Sequence, residues 1–576
     1  MSLTIEKITV DQAIALIEAN DYIAIDTETT GAEIRDGRGY AIGLSISSIL
    51  GDFVAHGYFP VRHAIGTNLD HSDKEKLKRA IENYKGTVFF HNAKFDLVSL
   101  ATMGINYRGK FLDTLLMAHL INEEFPYSKD LTTLAKHYLG QEESKKDDPA
   151  FKEAVKIWGW DLPVELMEPY ASWDAALTFR LGMVLLPLFE QNVNAAYWDH
   201  KQKFLRTVID MEKQGIGVDL DFCRRKIAIG EAIMADIVEI HGINPGSPKD
   251  LNDMLIGQLG LPVVKISAKT GNPSFDKKAM EVYEEMLERL DNPLAERILT
   301  YRGWQKAVSS YYRPYLELVS PDGRLRPNYK LHGTITGRMS CERPNLQQIP
   351  KESTKEWNGD LKKCFVPTPG YKLYEADYSQ LELRLATAYS KDKILMEIFA
   401  QGRDVFTEMS KDLGMSRQDT KTLVYSIQYG GGVNRVKEVF GVSADRAREI
   451  RQNFFDTYPG FRKVAEQARN ACLVDGKVKI WSGRYRHFRF RADEAHKAFN
   501  SVMQGGAADL VENAIVRLHE EVMDENCRML LTVHDSIVFE VREGMEDHYF
   551  PLIEKTMVDM PGDFGVRFAV EIKELA

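Results

Sequence analysis

The sequence predicts an α/β protein of several domains, from three observations. Residues 371–386 (YKLYEADYSQLELRLA) read as a strand running straight into a helix: polar and apolar residues alternate over 372–376, then Leu381, Leu385 and Ala388 recur at helical spacing. In the first third, short apolar runs at 22–25 and 87–90 end close to acidic residues, as strand tips that carry function do. Between 203 and 318 helical patterns dominate, separated by Asn-Pro-Gly and Lys-Thr-Gly-Asn-Pro turns.

A chain of 576 residues exceeds one core, and about three to five domains are expected. Its ordinary apolar and charged fractions exclude disordered and fibrous classes. The N-terminus is amphipathic without a continuous apolar run, and no segment is expected to span a bilayer. Cys223, Cys341, Cys364, Cys472 and Cys527 are scattered and nowhere at metal-ligand spacing, which fits a reducing cytoplasm. The net charge of −10 speaks weakly against nucleic acid. Two local basic runs speak for it: Arg324, Arg326, Lys330, Arg338 and Arg343, then Lys477, Lys479, Arg484, Arg486, Arg489 and Arg491 with aromatics interleaved.

In chain order, Asp26 and Glu28 stand two apart at a strand end and so share a face, where they can share a metal. The run 87–90 leads into HNAKFD with Asp96, and a later helix presents Tyr170 and Asp174, four apart on one side. Four gathered carboxylates would repel one another without cations. Together these motifs resemble the proofreading 3′–5′ exonucleases, which use four acidic residues and a tyrosine. The resemblance implies a ribonuclease H-like mixed sheet, two divalent metals on Asp26, Glu28, Asp96 and Asp174, and Tyr170 orienting the attacking water; Asn92 and Lys94 also match. Cutting a phosphodiester in line needs an activated nucleophile and a stabilised leaving alkoxide, which two metals supply. A short helix is expected within 130–140 and a mobile connection at 141–149.

The helix beginning near 203 should stop at Gly215 and Gly217, with further helices at 222–241, 247–259, 277–290 and 293–318. LHGTITGRMSCERPNLQQIP at 331–350 suits a loop laid on a sugar-phosphate backbone. Farther on, Ser416 and Asp419 form a capping signal and Gly430–Gly432 a stop around one helix of about 14 residues. Arg417, Lys421, Tyr425 and Tyr429 fall every fourth residue, a stripe about 18 Å long. Cations near the helix N-terminus and aromatics toward the other end match the polarity of a nucleoside triphosphate. A helix is expected from 505 to about 524, and 529–541 should fold into two strands about His534-Asp535-Ser536. Asp377 and Asp535 are then two fixed carboxylates that can hold two Mg²⁺ for phosphoryl transfer.

TGR…PNLQ…IP, R-x3-K-x3-Y-x3-YG and His-Asp together resemble the A family of DNA polymerases, over nearly the whole chain. The resemblance implies a right-hand polymerase (palm, fingers, thumb) after the exonuclease domain: 1–190 exonuclease, 191–330 thumb, 331–392 palm, 393–495 fingers, 496–576 palm again. It implies catalysis by Asp377, Asp535 and Lys421. It also implies dNTP binding by Arg417, Lys421, Tyr425, Tyr429, Glu382 and Gln380, with Glu382 blocking a ribose 2′-OH. Primer-template contacts fall to Arg338, Asn345, Gln347, Asn500, Gln504 and His534. The cofactor is Mg²⁺, two per active site, with Mn²⁺ as an alternative. The implied protein is a monomer off the membrane that binds primer-template DNA and dNTPs, has replisome proteins as further candidate partners, and lacks a thioredoxin-type insertion. Tyr425, in place of phenylalanine, implies weak discrimination against dideoxynucleotides. No 5′ nuclease domain is read before the exonuclease, which favours a phage or viral replicase in a bacterial host cytosol. Ser536, Phe406 and His496 depart from the family's common glutamate, histidine and arginine. A nuclease with a non-catalytic clamp and a single-subunit RNA polymerase are the rivals; intact Asp377, Lys421 and Asp535 disfavour the first, Glu382 and the fused exonuclease the second.

Overall fold

The computed structural model describes residues 8–141, 148–350, 357, 361–559 and 561–575, with backbone alone at 32 and 33. Most of the connection expected at 141–149 lies outside them. The chain divides into two compact units, one of Met1–Gln214, Tyr329–Cys341 and Tyr374–Lys573, the other of Gly215–Asn328, Glu342–Leu373 and Glu574–Ala576.

In the first unit, β1 (Tyr22–Thr29), β2 (Ala41–Leu50), β3 (Phe53–Pro60), β4 (Thr87–Phe90) and β5 (Lys110–Asp113) form one sheet in the order β3-β2-β1-β4-β5. It is mixed: β1 runs antiparallel to β2 but parallel to β4. The apolar run 23–25 is fully buried, so the strand continues past it and carries Asp26 and Glu28 within its length rather than beyond its end. The helix Val164–Asn192 packs on β1, β2 and β3 and against the helices Thr114–Ile121 and Leu131–Leu139. Contrary to expectation, this helix is long and apolar enough to cross a membrane. Its apolar residues serve the core, since 67% of its most apolar window is buried.

A second sheet has the order Cys527–Val533, Ser536–Arg542, Tyr371–Tyr378, Val570–Glu574. Val533 pairs with Ser536, which leaves His534-Asp535 as the hairpin tip, with His534 at φ 57°. The strand Tyr371–Tyr378 is followed by the helix Leu381–Ser390, whose N-cap is Gln380 in the left-handed region. Asp377 is thus a strand residue and not a cap.

The helix expected from 505 begins earlier, at Ala498, and runs to Glu521. Its glycine pair is interior and allows close packing: a Cβ on Gly506 would lie 2.6 Å from Leu385 Cδ2.

The second unit holds the three-stranded sheet Phe365–Val366, Ile216–Val218, Arg324–Leu325 and a helical core around Leu251, Leu255, Met280, Tyr283 and Ile298. The single helix expected at 293–318 is Leu294–Ala307, a wider π turn Val308–Tyr312, and Arg313–Leu318. Pro314 has no N–H to continue the regular ladder, and the widened turn absorbs that loss.

Candidate active sites

Asp26, Glu28, Asp96, Tyr170 and Asp174 line one cavity of about 750 Å³. Five residues spread over 26–174 therefore meet. Asp96 leaves the first turn of the helix Ala93–Thr102, and its Oδ1 accepts the Thr27 N–H at 3.0 Å and the Thr27 hydroxyl at 2.7 Å. Asp113, at the end of β5, accepts the N–H groups of Asn92 and Ala93 at 3.0 and 2.9 Å and fixes the start of that helix. Burial raises the Asp113 pKa to about 6, against the pull of those N–H bonds. Burial, then the Asp26 charge, raises that of Asp96 well above the carboxylate range. Tyr170 is held protonated by burial and by Asp174, Glu28 and Asp26, and hydrogen-bonds Asp174.

The donor set fits a divalent cation. Asp96 Oδ2 is buried without a hydrogen-bond partner among the described residues, while the other carboxylates rim the same cavity. Among the described residues no three His, Cys, Asp or Glu side chains converge as an ion-binding cluster. Lys94 does not join the cavity lining: it is buried against Glu212 at 2.5 Å and the Tyr329 carbonyl at 2.7 Å.

The sequence reading missed four features. Tyr127, Trp160 and His332 line the cavity, Tyr127 and Trp160 being 63% and 42% exposed. Nothing in their spacing marks them, and His332 stands in the segment read as a primer-template loop. Asp113 carried a usable signal, an apolar run ending in aspartate like that before Asp26.

The second group of carboxylates lies at the other sheet. Arg338 Nη2 donates to Glu382 Oε1 at 2.7 Å and Asp535 Oδ1 at 3.3 Å. Gln428 Nε2 donates to Glu382 Oε2 at 2.7 Å. The Tyr378 N–H bonds the Asp535 carbonyl at 3.2 Å, which fixes the hairpin tip beside the end of the strand that carries Asp377. Asp377 is exposed and Asp535 partly so. Burial raises the Glu382 pKa, and Arg338 opposes the rise.

Ser416 caps the helix Arg417–Gln428 by accepting the Asp419 N–H at 3.0 Å, and Tyr429 is its C-cap. The helix has 12 residues, slightly shorter than expected. Tyr425 and Tyr429 stack with centroids 6.3 Å apart, and Phe406 lies 5.9 Å from Tyr425. Arg417 donates to both oxygens of Asp404, at 2.9 and 2.8 Å, while Lys421 is exposed. Tyr425, Tyr429 and His496 line a second cavity of about 800 Å³.

Asn500 and Gln504 lie one turn apart within one helix; Gln504 hydrogen-bonds Tyr429, and Asn500 Oδ1 is buried without a partner among the described residues. Gln380 Oε1 is likewise buried and without a partner. His534 is exposed at the hairpin tip. Asn345 and Gln347 belong to the second unit, where the Asn345 side chain accepts the Gln347 N–H at 3.1 Å.

The basic runs are corrected in part. Arg484 is buried against Asp509 at 2.9 Å, and Arg486 against Glu123 and Glu124 at 3.2 and 2.6 Å. Arg326 pairs with Asp322 at 2.6 Å, and Arg324 bonds Thr368 Oγ1 and the Gly215 carbonyl. These four hold the fold together because each sits where a carboxylate or carbonyl already meets it.

Residues 223–574 match the family model described as DNA polymerase family A, and residues 5–189 that described as 3'-5' exonuclease. The chain is 30% identical over 582 residues to DNA polymerase I of Chloroflexus aurantiacus, covering 96% of this chain and 60% of the relative. To DNA polymerase I of Pseudomonas aeruginosa it is 29% identical over 563 residues, covering 92% and 60%. The chain spans about three-fifths of the length of these curated relatives. Its fold matches the POL domain of Pol1 from M. smegmatis, solved in complex with DNA primer-template and dNTP. The TM-score is 0.81 at 24% identity, over 99% of this chain and 98% of that one. The chain belongs to DNA polymerase family A.

Proposed function

We propose that this chain is a template-directed DNA polymerase that adds dNTPs to a primer 3′-OH and edits its product by 3′–5′ exonucleolysis. The observation that carries the reading is the hydrogen-bonded line Asp535–Arg338–Glu382–Gln428, which joins the hairpin tip, Glu382 at the start of the helix Leu381–Ser390, and the helix Arg417–Gln428. Arg417 and Lys421 would receive the triphosphate, Tyr425 the sugar and Tyr429 the base pair, while buried Glu382 would stand against a ribose 2′-OH. Asn500, Gln504, His534, Arg338 and, from the second unit, Asn345 and Gln347 would contact primer-template. The assignment of 191–330 to a thumb, 393–495 to fingers and the flanking segments to a palm belongs to the same proposal. So does action as a monomer in the cytoplasm, with replisome proteins as candidate partners; all five cysteines are buried and in no disulfide, which accords with a reducing compartment.

In the synthesis site Asp377 and Asp535 would hold Mg²⁺, and in the editing cavity Asp26, Glu28, Asp96 and Asp174 would do so. When bound, the ions activate the attacking oxygen and stabilise the leaving one. The protein's own part is to hold these carboxylates on strands, helices and a hairpin tip, to keep the Tyr170 hydroxyl protonated as a donor, and to present cations to the phosphates. A replicative role in a phage or virus is the finer form of the proposal; Tyr425 and Ser536 support it, whereas the relatives named above are bacterial.

Primer extension with labelled DNA, Mg²⁺ and dNTPs or rNTPs tests the whole reading. Asp377→Ala should lose synthesis by ~10³-fold or more and keep degradation, and Asp26→Ala should do the reverse. Synthesis that survives loss of Asp377 would remove the metal assignment, and equal use of rNTPs would return the RNA polymerase rival.

A further inference from the structure

Ser536 follows His534-Asp535 at the hairpin tip, where the family resemblance would lead one to expect glutamate. The Ser536 hydroxyl meets a carboxylate all the same: it lies 2.7 Å from Glu375 Oε1. Ser536 is only 3% exposed and Glu375 is partly buried, so the contact is shielded from water. Glu375 precedes Asp377 by two on the strand Tyr371–Tyr378, and the two side chains therefore leave the same face. Ser536 opens the neighbouring strand directly after Asp535. Its hydroxyl also lies 3.0 Å from the Val533 carbonyl, and its own carbonyl accepts the Thr532 hydroxyl at 3.1 Å.

A carboxylate thus stands behind the tip on the adjacent strand, with one hydroxyl between it and the residue following Asp535. We propose that Glu375 is a positioning residue of the synthesis site: through Ser536 it fixes the tip that carries Asp535, and it adds negative charge on the face of Asp377. A carboxylate that the family resemblance would place at position 536 would then act from across the strand pair. The inference rests on the reading of Asp377 and Asp535 as the ion-holding pair.

The test uses the full chain with Asp26→Ala and Asp96→Ala, which remove editing-site binding. Mn²⁺ is titrated by electron paramagnetic resonance into the complex with a dideoxy-terminated primer-template and the complementary dNTP, so no turnover is read. Glu375→Gln keeps a hydrogen-bond acceptor but loses the charge, and should weaken Mn²⁺ binding about 10- to 100-fold. Glu375→Ser should do the same, and the exchange Glu375→Ser with Ser536→Glu should return affinity to within about threefold of the parent. Unchanged affinity in Glu375→Gln overturns the proposal, as does an exchange variant that melts like the parent without recovering Mn²⁺. A parent that neither extends a primer nor binds Mn²⁺ instead fails the polymerase reading itself.

Discussion

The two carboxylate sites of the first unit handle negative charge in opposite ways. In the proposed editing cavity Asp96 is buried with one oxygen unmet by any described donor and with Asp26 close enough to raise its pKa. At the proposed synthesis site Asp535 and Glu382 already share Arg338, Arg417 is held by Asp404, and Asp377 faces solvent. One site stores repulsion that, on the proposed reading, a cation would relieve. The other is partly neutralised by its own side chains, which on the proposed reading a nucleotide would displace.

The largest effect that tests this contrast is at Asp96. Asp96→Asn should lower exonuclease rate about 100-fold or more while leaving primer extension intact. The same variant should melt about 2–4 °C above the parent in EDTA near neutral pH. Because burial and Asp26 raise the Asp96 pKa, its contribution to stability is full below the ordinary carboxylate range, about pH 4, and is lost as pH rises through the raised value. The gain should therefore vanish at acid pH and on adding Mg²⁺. A variant less stable than the parent in EDTA would break the contrast.

Next in size is Tyr425→Phe. If the tyrosine hydroxyl stands in for the sugar 3′-OH, its loss should raise discrimination against dideoxynucleotides about tenfold or more, read from chain-termination ladders. Equal ladders from both proteins would remove Tyr425 from the sugar.

The smallest effect is at Asp404. Arg417 strongly depresses its pKa, and Asp404 also caps the helix Val405–Leu413 by accepting the Thr407 N–H. Asp404→Asn keeps a capping oxygen but frees Arg417, so KM for dNTP should fall about two- to fivefold with kcat little changed. A raised KM would mean that the pair positions Arg417 instead of competing for it.

The strands and helices that carry the candidate site residues were legible because they obey local rules. The run 22–25 predicted β1, the S-x-x-D signal fixed the start of the Arg417 helix, and the four-residue spacing placed Tyr170 beside Asp174. Where a local rule has two physical meanings the sequence misled. Gly505-Gly506 looked like a helix start and is an interior site of close packing. Arginines among aromatics looked like a phosphate surface, yet Arg484 and Arg486 are buried ion pairs.

By itself, then, the sequence determined the period of each element, the order of its acidic motifs and the polarity of the Arg417–Tyr429 stripe, all consequences of spacing along the backbone. Only the tertiary structure decided which charges meet. Arg338 between Glu382 and Asp535, Arg417 on Asp404, Thr27 on Asp96 and Ser536 on Glu375 join residues from 13 to 197 positions apart. Electrostatic energy depends on distance through space and on exclusion of water, and neither is written in the distance along a chain.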